Sequence, residues 1–574
     1  MGVESFIRQI RARLVRVRYQ TIRQLTDYLK NHNASAKKDL LFLLFLFGIS
    51  FFQFLGRIPL IDPDEGRYAE IPREMLERGD FITPFLNYVH YFEKPPLHYW
   101  LNAVSMSLFG QNEFAARFPG ALMGLLTLLL TYHLGRKLFD RRVGLLAALI
   151  LGASAGFLVQ ARLNITDMTL TCTLSASLAF FILAVHEAEK RKRLYYHLFY
   201  ICAALAVLAK GLIGIVFPIV IIFSYLLITR RWGLLKEMRL ATGVPLFLLI
   251  AAPWFIAVSL RNPEFARFFF IHEHFERFTT KVHGRYEPPW FFIPILAATM
   301  FPWSFFIPTS VRGIWQDRQS ADGDVRLYLL IWTLLIFLFF SISDSKLIPY
   351  ILPVFPPLAL LMGRAFAKAF DGDFRPLKVT GRLLGVGLVI AGAGLSIYPY
   401  LARQPEIGKT AGIVIGILLL GEGIAGLINS HRQDALNLFA GLCIFSYIIG
   451  IIGPPFIMTG IAEKKSLRQL GLIVREQARP DDVVASFGLQ QGLSFYAKRR
   501  VVVVGDRNEL DFGSRQGDQS AWFIDSNRFV SLWNSQVTVF ATLRETELAP
   551  ILGMLRTPVR TVGRQGKRIL ITNR

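Results

Sequence analysis

The sequence predicts a polytopic α-helical membrane protein of about thirteen transmembrane helices that ends in a soluble α/β domain. Of its 574 residues, 53% are hydrophobic and only 18% are charged. The apolar residues are gathered in runs long enough to cross a bilayer, which a soluble protein of this length does not need. After Lys464 these long runs stop and short strand-like runs begin.

Residues 1–38, before the first apolar run, predict a basic amphipathic segment on the cytoplasmic side. Phe6, Ile10 and Leu14 recur at roughly helical spacing, with arginines between them. A helix of this kind lies on an anionic membrane surface. The segment is too long and too charged before its apolar run to be a secretory signal.

Residues 39–460 predict the transmembrane domain, in which the first outer loop covers residues 57–112. The predicted spans are approximately 39–56, 113–133, 143–159, 166–186, 195–208, 211–228, 240–258, 290–310, 327–343, 347–363, 383–400, 409–428 and 436–457.

The loops alternate in charge. Five of them are basic, at 135–142, 189–193, 229–239, 312–319 and 363–382. Within residues 57–96, by contrast, five Lys and Arg face eight Asp and Glu. The positive-inside rule therefore places the N-terminus and the basic loops in the cytoplasm, and an odd number of spans places the C-terminal domain outside. The same distribution accounts for the net charge of +23 without a nucleic-acid partner.

Residues 461–574 predict the soluble α/β domain. Strand-like runs occupy 482–487, 499–504, 537–541 and 568–572, and helix-like stretches occupy 465–478 and 543–553. The run "VVVVGDRNELDFG" lacks both the GxGxxG pattern and a P-loop lysine, so the sequence predicts no nucleotide cofactor.

Polar residues gather at the predicted outer face, next to the ends of spans. They are Asp64 and Glu65 in "DPDEGRYAE", Asp167 in "NITDMTL", Lys210 in "LAKGLIG", and Lys346 and Tyr350 in "SDSKLIPY". Polar groups concentrated at one membrane face predict a functional site, in which Glu65, Lys210 and Tyr350 are predicted to bind substrate. Each residue also has a structural interpretation. Asp62 with Pro63 suits a helix start, acidic residues complement the first turn, and both lysines are able to snorkel to the interface.

The segment "YVHYFEKPPLHYW" adds Glu93 and Lys94 within the same outer loop. A lysine held at headgroup level is a natural partner for a lipid phosphate. Histidines follow in residues 259–289, among them His274. A divalent ion, Zn²⁺ or Mg²⁺/Mn²⁺, shared by Glu93, His274 and a substrate phosphate is chemically reasonable, and solvated interface histidines are the alternative.

Three segments together resemble a known family. They are "DEGRYAEIPREMLERGDF" (64–81), "YFEKPPLHYW" (91–100) and "SKLIPYILPVFPPLALL" (345–361). They look like the bacterial aminoarabinose transferases, which are membrane-embedded GT-C glycosyltransferases related to protein O-mannosyltransferases. The resemblance covers roughly residues 40–460, and a following periplasmic domain also fits it.

The resemblance implies a function and a location. It implies transfer of 4-amino-4-deoxy-L-arabinose from an undecaprenyl phosphate carrier to lipid A phosphates, in the bacterial inner membrane. Asp64 matches the family's catalytic acid, and Lys94 matches the lysine of its "FEKP" segment. Family relatives often read "DETRYAE" where this chain has Gly66.

A mechanism follows from that expectation. Glycosyl transfer passes through an oxocarbenium-like state, so the leaving phosphate needs cations and the sugar needs a carboxylate. Lys94 and Arg67, and less directly Lys346, are predicted at the phosphate. Asp64 orients the donor and stabilises developing positive charge, and Asp167 binds the sugar. Direct displacement predicts inversion. A hydroxyl acceptor would need a true general base.

Other interpretations stay open. A related enzyme would transfer another sugar, or use a protein as acceptor. A transporter of a lipid-linked substrate would carry ionisable residues in mid-span and inverted repeats. A scaffold would use the C-terminal domain to bind a partner.

Overall fold

The computed structural model describes residues 28, 35–276, 287–316, 320–401 and 409–574. The predicted N-terminal amphipathic helix lies outside these residues. The described chain forms a multi-pass helical membrane domain and a C-terminal α/β domain, as the sequence predicts.

Between residues 36 and 261 the structure contains eleven α-helices and one short hairpin. These elements are α1 (Ala36–Phe52), α2 (Asp64–Arg78), β1 (Phe85–Leu86), β2 (Val89–His90), α3 (Leu97–Phe109), α4 (Glu113–Leu138), α5 (Arg141–Gly152), α6 (Ala155–Gln160), α7 (Thr166–Val185), α8 (Glu189–Lys210), α9 (Ile213–Thr229), α10 (Leu234–Glu237) and α11 (Leu240–Arg261). Local sequence sets several of their ends. Asn112 and Asp140 accept hydrogen bonds from backbone N–H groups in the first turns of α4 and α5. Gly79 ends α2 with a φ of 66°.

The second half of the membrane domain continues from residue 267 to residue 465. Its elements are a π-helix (Arg267–Glu276), α12 (Phe292–Thr299), a 3₁₀ turn (Trp303–Phe306), α13 (Ile307–Gln316), α14 (Gly323–Ile342), a 3₁₀ helix (Ile348–Val354), α15 (Phe355–Phe370), α16 (Arg375–Leu401), α17 (Lys409–Arg432), α18 (Ala435–Gly453), a π turn (Pro454–Met458) and α19 (Thr459–Lys465).

Within the described residues, eight helices are long and apolar enough to cross a membrane, or nine if one bent pair counts as a span. The predicted number of about thirteen stays a prediction. Several of the other predicted spans correspond to helices that are shorter or more charged. For example, α1 has only 17 residues and α8 begins with the run "EKRKR".

Two predicted spans are wrong as single helices. The predicted span 143–159 breaks between α5 and α6, and 290–310 bends by 113° between α12 and the 3₁₀ turn. The two breaks meet: the N–H of Ala155 donates to the carbonyl of Phe301 at 3.1 Å. Gly156 permits this approach, because a Cβ there would lie 2.4 Å from the Cβ of Thr299. Backbone groups freed by one break are thus satisfied at the other.

The C-terminal domain is a six-stranded sheet with helices. Its elements are α20 (Arg468–Gln477), β3 (Val483–Phe487), α21 (Gln491–Ala497), β4 (Val502–Val504), a 3₁₀ turn (Asn508–Leu510), α22 (Asp511–Ser514), β5 (Phe523–Ile524), α23 (Ser526–Trp533), β6 (Val539–Arg544), α24 (Glu545–Leu552), β7 (Arg560–Gln565) and β8 (Arg568–Thr572). The strand order is β5-β4-β3-β6-β8-β7, parallel from β5 to β6, with β8 and β7 antiparallel. All four predicted strands are confirmed, whereas β5 and β7 were not predicted.

The C-terminal domain packs directly on the first loop of the membrane domain. The N–H of Gly492, in α21, donates to Asp62 Oδ1 at 2.7 Å. Asn87 exchanges two hydrogen bonds with the backbone of Val501. A Cβ on Gly66 would lie 2.6 Å from the Gly492 nitrogen, so the glycine permits this close contact. The predicted capping of α2 by Asp62 is wrong: α2 has no side-chain cap, and Asp62 binds the start of α21 instead.

Contacts between helix ends sort the loops into two faces. The ion pair of Asp167 with Lys210 and the contact of Lys210 with Tyr350 bring together the start of α7, the end of α8 and the 3₁₀ helix Ile348–Val354. We call the membrane face that carries the C-terminal domain the domain face, and the other the opposite face. Residues 57–112, the start of α7, the end of α8 and residues 343–347 lie at the domain face. The turns between α13 and α14 and between α15 and α16 lie at the opposite face.

Candidate active site

Asp64 is the first residue of α2 and projects into solvent at the domain face. Its side chain is 57% exposed. One turn later, Arg67 Nη1 donates to Asp64 Oδ1 at 3.1 Å. An acidic residue in the first turn also suits the positive end of the helix dipole. Asp64 is therefore held in place by one hydrogen bond and keeps its remaining acceptor positions accessible.

Arg67 is buried and is held by a second carboxylate, which comes from the C-terminal domain. Its Nε donates to Glu509 Oε1 at 2.9 Å, and its Nη2 lies 2.7 Å from Glu509 Oε2. Gln491 donates to the same Glu509 oxygen at 2.7 Å. Glu509 raises the pKa of Arg67, against the lowering effect of burial. This geometry favours a positioning role for Arg67 over the predicted contact with the leaving phosphate.

Glu65 has the opposite environment although it follows Asp64 directly. Arg117 binds it with two nitrogens, each at 2.7 Å, and both groups are buried. The backbone N–H groups of Ile61 and Asn164 donate to the same two oxygens at 2.9 Å. This network favours a structural role for Glu65 over the predicted contact with substrate.

Glu93 and Lys94 lie beside a further carboxylate. Lys94 Nζ is 3.6 Å from Glu273 Oε2, and it donates to the Glu93 carbonyl at 2.8 Å. Burial raises the pKa of Glu93, as do nearby Glu273 and Glu509. The Lys94 ammonium therefore supplies positive charge within an acidic surrounding.

The predicted metal ligands are only partly within the described structure. The side chain of His274 lies outside it. Among the described side chains, no three His, Cys, Asp or Glu residues form a group able to hold a metal ion. Glu93 and Glu273 instead lie next to the Lys94 ammonium. The divalent ion thus stays a prediction.

Asp167 and Lys210 form an ion pair, which joins two residues predicted separately. Asp167 is in the first turn of α7 and Lys210 is the last residue of α8. Lys210 Nζ also lies 4.6 Å from the ring centroid of Tyr350. Lys210 therefore does not simply snorkel, because its ammonium is bound between an acid and an aromatic ring.

Lys346 is buried in the loop between α14 and the following 3₁₀ helix. Its ammonium donates to the carbonyls of Ser343 and Glu287, at 2.5 and 2.7 Å. Burial lowers the pKa of Lys346. These bonds tie two loops together, which favours a structural role over the predicted phosphate contact.

Tyr68 is a buried phenol in α2 that sequence reasoning missed. Burial raises the pKa of its hydroxyl, Arg67 lowers it, and the carboxylates of Asp64, Glu93 and Asp167 each raise it further. All three acids are therefore within electrostatic reach of a single phenol. The available signal was spacing, since Tyr68 is four residues after Asp64 and shares its helix face. Glu509 gave no such signal, because it is 442 residues away from Arg67.

Known proteins resemble both domains. The family of dolichyl-phosphate-mannose-protein mannosyltransferases matches residues 59–269, and the aminoarabinose transferase C-terminal domain matches residues 470–573. The undecaprenyl phosphate-α-4-amino-4-deoxy-L-arabinose arabinosyl transferase of Aeromonas hydrophila is 34% identical over 418 residues, which are 72% of this chain and 75% of that protein. The protein of the same name from Edwardsiella ictaluri is 31% identical over 493 residues, covering 83% and 87% respectively.

A solved structure matches nearly the whole chain. The crystal structure of ArnT from Cupriavidus metallidurans bound to undecaprenyl phosphate superposes with a TM-score of 0.81 at 30% sequence identity. The match covers 94% of this chain and 99% of that one.

Proposed function

The chain belongs to the family of undecaprenyl phosphate-aminoarabinose transferases, and we propose that it moves 4-amino-4-deoxy-L-arabinose from undecaprenyl phosphate to a lipid A phosphate. As a member of this family it is a polyprenyl-phosphate-sugar-dependent glycosyltransferase of the GT-C type. The observation that carries the proposal is the position of Asp64. It is an exposed carboxylate at the domain face, and Glu93 and Asp167 act with it on the pKa of the buried Tyr68 phenol.

The reaction is a displacement at the anomeric carbon of the donor sugar. An oxygen of the acceptor phosphate forms the new bond, and the bond to undecaprenyl phosphate breaks with its electron pair left on the departing phosphate. Lys94 binds that phosphate and neutralises its charge, since it belongs to the same loop at the domain face as Asp64. Because the attack comes from the side opposite the leaving group, the anomeric configuration inverts.

Asp64 orients the donor and stabilises positive charge as it develops on the sugar. It need not be a strong base, because a phosphate monoester acceptor is largely ionised near neutral pH, with a second pKa of about 6. Arg67 keeps the carboxylate in position through its hydrogen bond. Asp167 binds the amine of the donor sugar, and Lys210, which pairs with Asp167, binds the donor phosphate.

The proposed orientation places the domain face in the periplasm and the N-terminus in the cytoplasm of the inner membrane. Its support is the charge of the loops: the basic turns are at the opposite face, and the first loop at the domain face is acidic. A lipid-linked donor suits this location, because its tail stays in the bilayer while its phosphate meets lysines at the interface.

The proposed acceptor and sugar are tested by mass spectrometry. Lipid A from cells with and without the gene is compared, and the purified protein is incubated with defined polyprenyl-phosphate sugars. The proposal expects aminoarabinose-modified lipid A only when the gene is present. An unchanged lipid A spectrum together with transfer to a protein would contradict lipid A as the acceptor. Transfer of another sugar would contradict aminoarabinose as the sugar of the donor.

The metal is tested separately. Chelation of the purified protein, followed by addition of Zn²⁺, Mg²⁺ or Mn²⁺, measures whether transfer needs an ion. Loss of transfer on chelation and recovery with one ion would support a site at Glu93 and His274. Unchanged transfer after chelation would contradict a metal site at Glu93 and His274.

A further inference from the structure

A cavity of about 370 Å³ opens at the opposite face, between the ends of α13, α14, α15 and α16. α14 ends and the helical run that includes α15 begins at the domain face, where residues 343–347 join them. The cavity lies at their other ends. The run Ile348–Phe370 has 23 residues, so its far end lies about 35 Å along the helix from its start at the domain face. This cavity is therefore separate from the site that the transfer reaction uses.

The cavity is lined by an unusual number of cations. Its five basic residues are Arg312, Arg326, Arg364, Lys368 and Arg375. One acidic residue, Asp373, also lines it, and Asp322 pairs with two of the arginines from nearby. Among the described residues at the cavity, the cations exceed the acids by three even if both acids are ionised. The cavity thus carries a local excess of positive charge.

Two of the arginines are held in defined positions. Asp322 lies 3.4 Å from Arg326 Nη2 and 2.8 Å from Arg364 Nε. Arg326 Nη1 also donates to the carbonyl of Gly313 at 3.1 Å, which ties α14 to α13. Arg312 and Arg375 are exposed. Arg326 and Arg364 are therefore fixed by contacts between helices, whereas the guanidinium groups of Arg312 and Arg375 are accessible to solvent.

The orientation of the protein in the membrane does not require this arrangement. The positive-inside rule needs basic residues in short loops, in no particular grouping. Here Arg326 and Arg364 lie within α14 and α15, and the cations come from four helices that surround one concavity. Such a concave group of cations between transmembrane helices is suited to a phosphate, which arginine binds with two parallel hydrogen bonds.

We propose that this cavity binds the phosphate group of an anionic phospholipid from the leaflet at the opposite face. Basic pockets between membrane helices bind lipid headgroups of this kind. Leu361 and Leu377 form an apolar part of the wall. The outer surface of α16 continues from it with exposed Val379 and Leu383, which suit acyl chains. The combination of cations with an adjoining apolar surface favours a lipid over a free phosphate.

The test uses the delipidated full-length protein and native mass spectrometry. Phosphatidylglycerol and phosphatidylcholine are each added in the same detergent, and lipid retention is compared. We expect phosphatidylglycerol to be retained at least fivefold better. Arg312→Gln with Arg375→Gln should weaken that retention about tenfold or more, because both side chains line the cavity and each would lose a charge-assisted hydrogen bond to the lipid phosphate. Arg382→Gln with Arg432→Gln, which removes the same charge outside the cavity, should leave it unchanged.

Equal loss in both double variants would overturn the proposal, as would equal retention of the two lipids. A second measurement on the unaltered protein covers a variant that fails to fold. A photoactivatable phosphatidylglycerol should label peptides from the four lining helices, α13 to α16, rather than other helices, and labelling confined to other helices contradicts the site. Inorganic phosphate at millimolar concentration should not displace the lipid. Complete displacement would assign the cavity to a soluble phosphate compound instead.

Discussion

Two carboxylate–arginine clusters begin at adjacent residues of the first loop, and they differ in what they leave open. The Glu65 side chain is 2% exposed and the Asp64 side chain 57% exposed. Arg117 and two backbone N–H groups occupy both oxygens of Glu65. Asp64 accepts from Arg67 and keeps solvent access. The same ion-pair chemistry thus holds the fold where all acceptors are used, and offers a reactive carboxylate where some are not.

The two arginines repeat the contrast. Arg117 spends its remaining donors on the carbonyls of Leu55, Ile58 and Pro59, all within the membrane domain. Arg67 reaches Glu509, so its position depends on the C-terminal domain. The structural cluster of Glu65 and Arg117 is therefore confined to the membrane domain, whereas the candidate catalytic cluster of Asp64 and Arg67 is assembled from both domains.

The largest expected effect on stability is at the buried cluster. Glu65→Gln leaves the charge of Arg117 buried without its partner, and we expect a loss of about 3–5 kcal/mol in the free energy of unfolding. Glu77→Gln is the matched control, since Glu77 pairs with Arg73 but is 47% exposed. It should cost less than about 1 kcal/mol. Denaturant unfolding of the two variants checks this, and equal losses would contradict the distinction.

A smaller effect is expected at the contribution of the C-terminal domain. Glu509→Gln removes one of the two carboxylates of Arg67, so Asp64 loses its fixed position. We expect kcat to fall about 10- to 100-fold with KM little changed, because displacement of a positioned group costs this much. Glu509→Asp should recover part of the rate.

Glu545→Gln controls for that change, because it breaks an exposed ion pair with Arg564 in the same domain. It should keep the full transfer rate. A normal kcat in Glu509→Gln would show that Arg67 needs no partner from the C-terminal domain.

The smallest expected effect is a pH dependence of docking between the domains. Burial raises the pKa of Asp62 to about 7, above its ordinary value of 3.8. The docked state therefore binds a proton more tightly than the undocked state, and docking is favoured at low pH and weakened as pH rises through about 7. Hydrogen exchange in α21 should be about tenfold faster at pH 8 than at pH 6 after correction for the intrinsic rate.

Asp62→Asn should remove this dependence, because the amide oxygen still accepts from Gly492 and no longer titrates. The same slope in the variant, or no slope in the original protein, would show that Asp62 does not control docking.

Local patterns predicted much of the fold. The four main strands of the C-terminal domain are confirmed because each is an apolar run bounded by turn residues, and a strand of that kind depends little on distant contacts. The breaks at residues 153–154 and 300–302 were not predictable, since hydropathy does not reveal that Ala155 and Phe301 satisfy each other's backbone.

At the candidate active site, too, local patterns predicted some features and contacts between distant residues decided the others. Alternating topology correctly placed Asp64, Asp167 and Lys210 at one face, because helix direction alone decides that. The predicted topology did not distinguish Asp64 from Glu65, because the burial of Glu65 depends on Arg117, 52 residues away. Nor did it find Glu509, which acts on Arg67 from another domain. Contacts between distant segments need the folded chain.

The most direct test of the exposed cluster is a single-turnover experiment with Asp64→Asn. The purified variant is loaded with polyprenyl-phosphate sugar and mixed with lipid A, and both donor binding and sugar transfer are followed. We predict unfolding and donor binding within about twofold of the original protein, and a transfer rate lower by about 10²–10³, as when a group that stabilises transition-state charge is removed. An undiminished transfer rate would contradict the assignment of Asp64 as the catalytic carboxylate.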